Sequence, residues 1–166
     1  SKYLNHALHH YAGRVDVLMA QHHWPTWGTA QVQKFLTEQR DMYRVIHDQT
    51  VRMMNHGLKP AEIAEELRMP KSLGALWHAR GYYGSLSHNV KAVYQRYLSW
   101  YDAHPANLHA LPPVPAAKKT IEYMGGIEAV LLKAQADLDK GEYRWVAEVM
   151  KHAVYAHPEH KAAREL

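Results

Sequence analysis

Apolar residues recur at positions 4, 7, 8 and 11, the spacing of one helical face, so the segment from Leu4 to Tyr11 is predicted to be a helix ended by Ala12-Gly13. A short apolar run, Val15 to Ala20, follows and reads as the last strand of a sheet. From Thr29 the pattern turns helical and stays so. Thr29 is expected to cap a long helix whose inward face is marked by Val32, Phe35, Leu36, Met42, Tyr43, Ile46 and Val51. That helix should reach about Asn55, with Gly57 as its C-terminal stop. A shorter helix is predicted over Ala61 to Leu67 with Pro60 at its first turn, and Met69-Pro70 breaks it. Another runs over 71–80 and ends at Gly81. The next spans Val90 to Tyr101, capped by Ser87 or Asn89.

Residues 104–115 hold four of the eight prolines and read as an irregular connector between two packed units. Three helical segments follow, at Ala116–Met124, Ile127–Lys140 and Glu142–Ala156, separated by Gly125-Gly126 and Gly141. The pair at 127–157 resembles a tetratricopeptide-type hairpin in a single copy. The fold class is therefore mainly α: a helical, tetratricopeptide-like domain at 29–166, preceded at 1–28 by a helix–strand remnant of an α/β layer. The strand at 15–20 has no sheet to join within the chain, so another segment is expected to cover it.

The composition fits one domain, or one plus part of another: 166 residues, 47% hydrophobic and 22% charged. No apolar run approaches the roughly 20 residues of a membrane span. The opening Ser1-Lys2-Tyr3-Leu4 has no signal-peptide pattern, and the chain reads as starting in mid-domain. With no cysteine, disulfides, thiolate zinc sites and cysteine nucleophiles are excluded. Twenty Lys and Arg stand against 16 Asp and Glu with no long like-charge run, which gives a nucleic-acid partner no support and is compatible with a small anionic substrate. Histidine, at 14, is the unusual count.

The segment His22-His23-Trp24-Pro25-Thr26-Trp27-Gly28-Thr29 concentrates the candidate chemistry. It reads as a loop at the carboxyl end of a strand, locked by Pro and Gly, with Trp24 and Trp27 packing to hold it. Neutral imidazole is a common zinc ligand, and adjacent histidines at a strand end cannot both point the same way. At most one of His22 and His23 is then a ligand, and a purely structural role stands beside that reading. A catalytic metal needs about three protein ligands, and the others are not recognisable. Tyr82, Tyr83, His88 and Asn89 gather polar groups in a turn before a helix, a position that suits an oxyanion or simply turn and cap chemistry. Tyr94 and Arg96 follow on that helix, where an aromatic stripe more often belongs to the core. His6, His9 and His10 share a helical face without an acidic companion and read as solvated, and His47-Asp48 is a further metal-like pair. No phosphate-binding loop, nucleophile elbow or His-Glu-x-x-His motif occurs.

Several ordered runs together resemble the bacterial zinc-dependent alkyl sulfatases of the metallo-β-lactamase superfamily. They are His22-His23-Trp24-Pro25-Thr26-Trp27-Gly28, Gln39-Arg40-Asp41-Met42-Tyr43, Ile46-His47-Asp48-Gln49-Thr50, Arg80-Gly81-Tyr82-Tyr83-Gly84, Ser87-His88-Asn89-Val90-Lys91-Ala92-Val93-Tyr94-Gln95-Arg96-Tyr97 and Glu122-Tyr123-Met124-Gly125-Gly126. The resemblance implies that residues 1–28 are the end of the metallo-β-lactamase-like catalytic domain and 29–166 the helical domain through which such enzymes form homodimers. It implies that His22, with His23 the lesser choice, supplies one ligand to a binuclear zinc centre, and that Tyr82 or Tyr83, His88 and Tyr94 approach the sulfate. Zinc would lower the pKa of a bound water that attacks an alkyl sulfate such as dodecyl sulfate. An apolar channel would take the alkyl chain. The family's His-x-His-x-Asp-His motif and acidic ligands are absent, so no catalytic residue is expected within these residues, the remainder of the catalytic domain is an implied partner, and the segment alone should be inactive. A non-catalytic helical dimerisation or protein-interaction module is the alternative. Export to the periplasm or medium is slightly favoured over the cytoplasm.

Overall fold

A computed structural model describes residues 1–166, which divide into two compact units, Ser1–Asp102 and Ala103–Leu166. The first unit opens with helix α1 (Lys2–Tyr11), whose partly buried Leu4, Ala7 and Leu8 face the long helix α2 (Thr29–Asn55). Between them lies an antiparallel hairpin, strands β1 (Val17–Ala20) and β2 (His23–Trp27), with pairs Val17–Trp27, Leu18–Thr26 and Ala20–His23. The register slips between Leu18 and Ala20, where Met19 alone faces Trp24 and Pro25, so β2 carries the extra residue of a bulge. This corrects two expectations. The segment after His22 is a strand rather than a loop, and it is the partner that the apolar run at 15–20 was expected to lack. Pro25 is tolerated because each strand of a two-stranded sheet has a free edge. Trp24 and Trp27 are not packing residues: they are mostly exposed.

The hairpin closes where Gly28 N–H donates to the Asp16 carbonyl (2.7 Å), with Gly28 at φ 89°, and α2 begins at once. Gly28, not Thr29, is the N-cap; the Thr29 hydroxyl instead donates to the Asp16 carboxylate at 2.6 Å. The 27 residues of α2 bury Val32, Leu36, Ile46, Thr50 and Met53. Thr50 satisfies its buried hydroxyl one turn back, on the Ile46 carbonyl (2.6 Å). Tyr43, expected on the inward face, is half exposed. Gly57 at φ 87° and the Leu58 N–H bond to the Met53 carbonyl (3.2 Å) end the helix as expected.

Helix α3 (Pro60–Glu66) starts with Pro60 and with Glu62 accepting from the Lys59 N–H at 2.7 Å. The single helix expected over 71–80 is two short pieces, α4 (Lys71–Gly74) and a 3₁₀ turn (Trp77–Ala79), because the chain is not propagated past Gly74. Helix α5 spans Leu86–Leu98, starting earlier than expected. Its cap is Ser85, whose hydroxyl accepts from the His88 N–H at 3.2 Å. Ile46, Met53, Ile63, Leu67, Val90 and Tyr94 form the core of this unit.

In the second unit the proline-rich segment is not wholly irregular: it contains α6 (Pro105–Leu108) and the start of α7 (Pro113–Tyr123). Helices α8 (Ile127–Asp139) and α9 (Tyr143–Ala156) form the expected hairpin, and α9 packs on both α7 and α8. A short α10 (Lys161–Glu165), which periodicity did not reveal, adds Ala163 to the core. That core is Ala117, Ile121, Val130, Ala134, Val146, Val149, Met150, Ala153, Ala156 and Ala163, and its alanines let the helices approach closely. No helix is long and apolar enough to cross a membrane.

Candidate functional site

In the first unit the hairpin turn, the 3₁₀ turn and the loop before α5 enclose a pocket of about 630 Å³ lined by His22, His23, Trp24, Trp77, His78 and Tyr82. Residues Gln21 and His22 are the turn itself, which puts His22 at the tip and His23 at the start of β2. The strand's alternation aims the His23 ring inward, edge-on to Phe35 (centroids 4.8 Å) and against Trp77 (5.1 Å). Nδ1 of His23 donates to the Trp24 carbonyl at 3.1 Å, which leaves Nε2 as the ring's acceptor; that atom is buried and has no hydrogen-bond partner.

Helix α2 holds the opposite wall. Gln39 Nε2 donates to the His78 carbonyl (3.1 Å), and Glu38 Oε2 lies 3.1 Å from His78 Nε2. The His78 side chain is only 9% exposed, and its ring contacts Phe35 and Trp77. Burial pushes its pKa below the ordinary value, the Glu38 carboxylate pulls it back up, and His23 and Lys34 push it further down. The imidazole thus stands beside the Glu38 carboxylate with its Nε2 buried and without a well-aligned hydrogen bond, and its pKa lies below the ordinary value chiefly because of burial.

The loop carrying Tyr82 needs its glycines. A Cβ on Gly81 would lie 2.7 Å from the Gly84 carbonyl oxygen, and one on Gly84 would lie 3.1 Å from Asn89 Oδ1. This close turn places Tyr82 on the pocket and leaves Tyr83 fully exposed outside its lining. His88 sits in the first turn of α5, exposed, and does not line the pocket. Tyr94, expected near the sulfate, is 5% exposed in the core with Ile46, Ile63 and Val90. It lies eight residues, about two turns, beyond Leu86 at the start of α5, and its face is the apolar one. Of the residues read from sequence, the fold thus gathers His22, His23 and Tyr82. It adds Trp77 and His78, which no motif signalled, because the Glu38–His78 pair joins residues far apart in the chain.

The donors of the pocket are three imidazoles and a phenol between indole walls, with no carboxylate in the lining. His22 and Tyr82 can donate hydrogen bonds to an oxyanion, while the Nε2 atoms of His23 and His78 are buried, and the indoles offer aromatic faces to an apolar group. The lining residues do not make a metal site by themselves: no three His, Asp or Glu side chains are grouped to hold an ion.

A model of the alkyl sulfatase dimerisation family matches residues 59–166. Over all 166 residues the chain is 57% identical to the alkyl/aryl-sulfatase BDS1 of Saccharomyces cerevisiae, covering 26% of that protein. It is 51% identical to a linear primary-alkylsulfatase of Pseudomonas sp over 166 residues, covering 25% of it. The solved structure of the stereoselective inverting sec-alkylsulfatase Pisa1 from Pseudomonas sp. superposes with a TM-score of 0.95 at 47% identity, over 98% of this chain and 26% of that one. The chain spans about a quarter of the length of these relatives. The likeness reaches a yeast protein, so it is not confined to bacterial ones. By the match over residues 59–166, the chain belongs to the alkyl sulfatase dimerisation family.

Proposed function

We propose that these residues are part of a zinc-dependent alkyl sulfatase that hydrolyses sulfate esters such as dodecyl sulfate. The observation that carries this reading is the pocket at the hairpin turn, where His22, His78 and Tyr82 meet the indoles of Trp24 and Trp77. A sulfate ester has the matching character: an anionic head for N–H and O–H donors, and an alkyl tail for aromatic walls, where each buried methylene contributes about 0.8 kcal/mol. Residues 1–28 then belong to the end of the catalytic domain and 29–166 to the dimerisation domain of a homodimer.

In this reading His22, at the tip of the turn, contributes one imidazole to a binuclear zinc centre whose other ligands lie outside these residues. The alternative ligand, His23, has the tautomer of a ligand, but its Nε2 is already enclosed by protein. The residues here do not make a zinc site alone, so no step of hydrolysis is assigned to them through the metal. Their part is to bind and orient the ester. In the intact zinc enzyme, His22→Ala is expected to lower bound zinc, counted by atomic emission, while His23→Ala leaves it in place. Full zinc content in His22→Ala contradicts the assignment.

A second reading, a non-catalytic helical dimerisation or interaction module, is favoured by the exposed Tyr123, Leu132, Tyr143 and Trp145 of the second unit. It predicts a dimer with a pocket that binds no alkyl sulfate.

A further inference from the structure

Away from the pocket, α2 and α5 bring together three side chains that the alkyl sulfatase reading does not use. His47 Nδ1 lies 2.7 Å from Asp48 Oδ1, and His47 Nε2 lies 2.6 Å from the Tyr97 hydroxyl. Consecutive residues on a helix point about 100° apart and do not ordinarily meet. The Asp48 carboxylate is therefore turned back onto its neighbour, and the imidazole is held from both ends. A carboxylate at Nδ1 fixes the tautomer that carries Nδ1–H, and Nε2 must then accept from the phenol. The order is that of an activated nucleophile: orienting carboxylate, general base, hydroxyl.

The arrangement is open to small molecules. The side chains of His47 and Asp48 are 46% and 57% exposed, and Tyr97 is 55% exposed. A groove of about 340 Å³ reaches His47 along the seam of the two helices, past Tyr43, Asn89, Ala92 and Val93. Tyr43 and Val93 stand one helical turn before His47 and Tyr97, so the groove leads to the hydrogen-bonded pair. Its walls set Ile46, Ala92 and Val93 beside the Tyr43 phenol, the Asn89 amide and Ser1, a mixed lining with room for a small ester.

We propose that Asp48, His47 and Tyr97 form a nucleophilic tyrosine site that takes acyl groups from small activated esters. The Tyr97 Oη attacks the ester carbonyl carbon while its proton passes to His47 Nε2, and Asp48 offsets the imidazolium charge. Collapse of the tetrahedral adduct breaks the bond to the aryloxy group, which leaves with its electron pair and takes a proton from the imidazolium or from water. The acyl group stays on Tyr97 as an aryl ester, and no oxidant or reductant is needed.

The probe is p-nitrophenyl acetate, with nitrophenolate release followed by absorbance and the acetylated residue located by peptide mass spectrometry. A burst with acetyl on Tyr97 is expected, and Tyr97→Phe should abolish it. His47→Gln should slow acetylation of Tyr97 by about 10²-fold or more, the usual worth of a positioned general base. Asp48→Asn, which keeps the shape and removes the charge, should slow it by a smaller factor. Circular dichroism checks that each variant keeps its helices. Acetyl confined to lysines or the amino terminus overturns the proposal, as does an unchanged rate at Tyr97 in folded His47→Gln.

Discussion

At the scale of single residues, the decisive feature is an imidazole placed by contacts that no local pattern encodes. His78 lies in a 3₁₀ turn without periodicity, and only the fold sets it 3.1 Å from Glu38 of α2. Its pKa is lowered chiefly by burial, so the folded chain binds this proton less readily than the unfolded chain, whose value is near 6.5. The contribution is fully present above pH 6.5. It is lost as pH falls through 6.5 toward the lower folded value. Chemical denaturation from about pH 7 to about pH 5 should show stability falling, and His78→Gln should make that fall shallower. An unchanged slope in His78→Gln would place the proton uptake elsewhere. Tyr94 shows the opposite case: a residue within a quoted motif whose position on an apolar helical face already favoured the core, where the structure puts it.

At the scale of elements, what was legible followed punctuation. The span of α2 could be read because Gly28 and Gly57 bracket it and apolar residues recur between them at helical spacing. The hairpin could not, because Pro25 and two tryptophans look like loop chemistry, and a strand in a two-stranded sheet shows little alternation of burial. The cap of α5 was misplaced for a similar reason. Four polar residues near its start could each serve, and the tight Gly81–Gly84 turn selects Ser85. Its hydroxyl accepts from the His88 N–H at 3.2 Å, so Ser85→Ala should cost about 1 kcal/mol, read from a urea midpoint. Because the cap also holds the end of the Tyr82 loop, the same change should loosen the pocket. No loss of stability would mean that the neighbouring turn, rather than the hydroxyl, starts the helix.

At the scale of the whole molecule, each unit has its own core, and the second leaves large side chains in solvent. Tyr123 is 91% exposed and Leu132 is 76% exposed, unusual for residues of that size on helices. A small unit with an alanine-rich core gains from covering such surface. The match to the alkyl sulfatase dimerisation family points the same way, and the account predicts a dimer. Sedimentation equilibrium should give twice the chain mass of 19.1 kDa, and a monomer at micromolar concentration would contradict it.

The sequence resemblance and the fold agree on the family. The proposed catalytic role rests on the pocket of His22, His78 and Tyr82 serving a larger enzyme that would hold zinc. The most direct measurement is sulfate release from dodecyl sulfate by the intact, zinc-loaded enzyme containing these residues, with native His22 and with His22→Ala. The account predicts release by the native protein and loss of most turnover in the variant. No release by the native protein, or equal turnover in both, would contradict it.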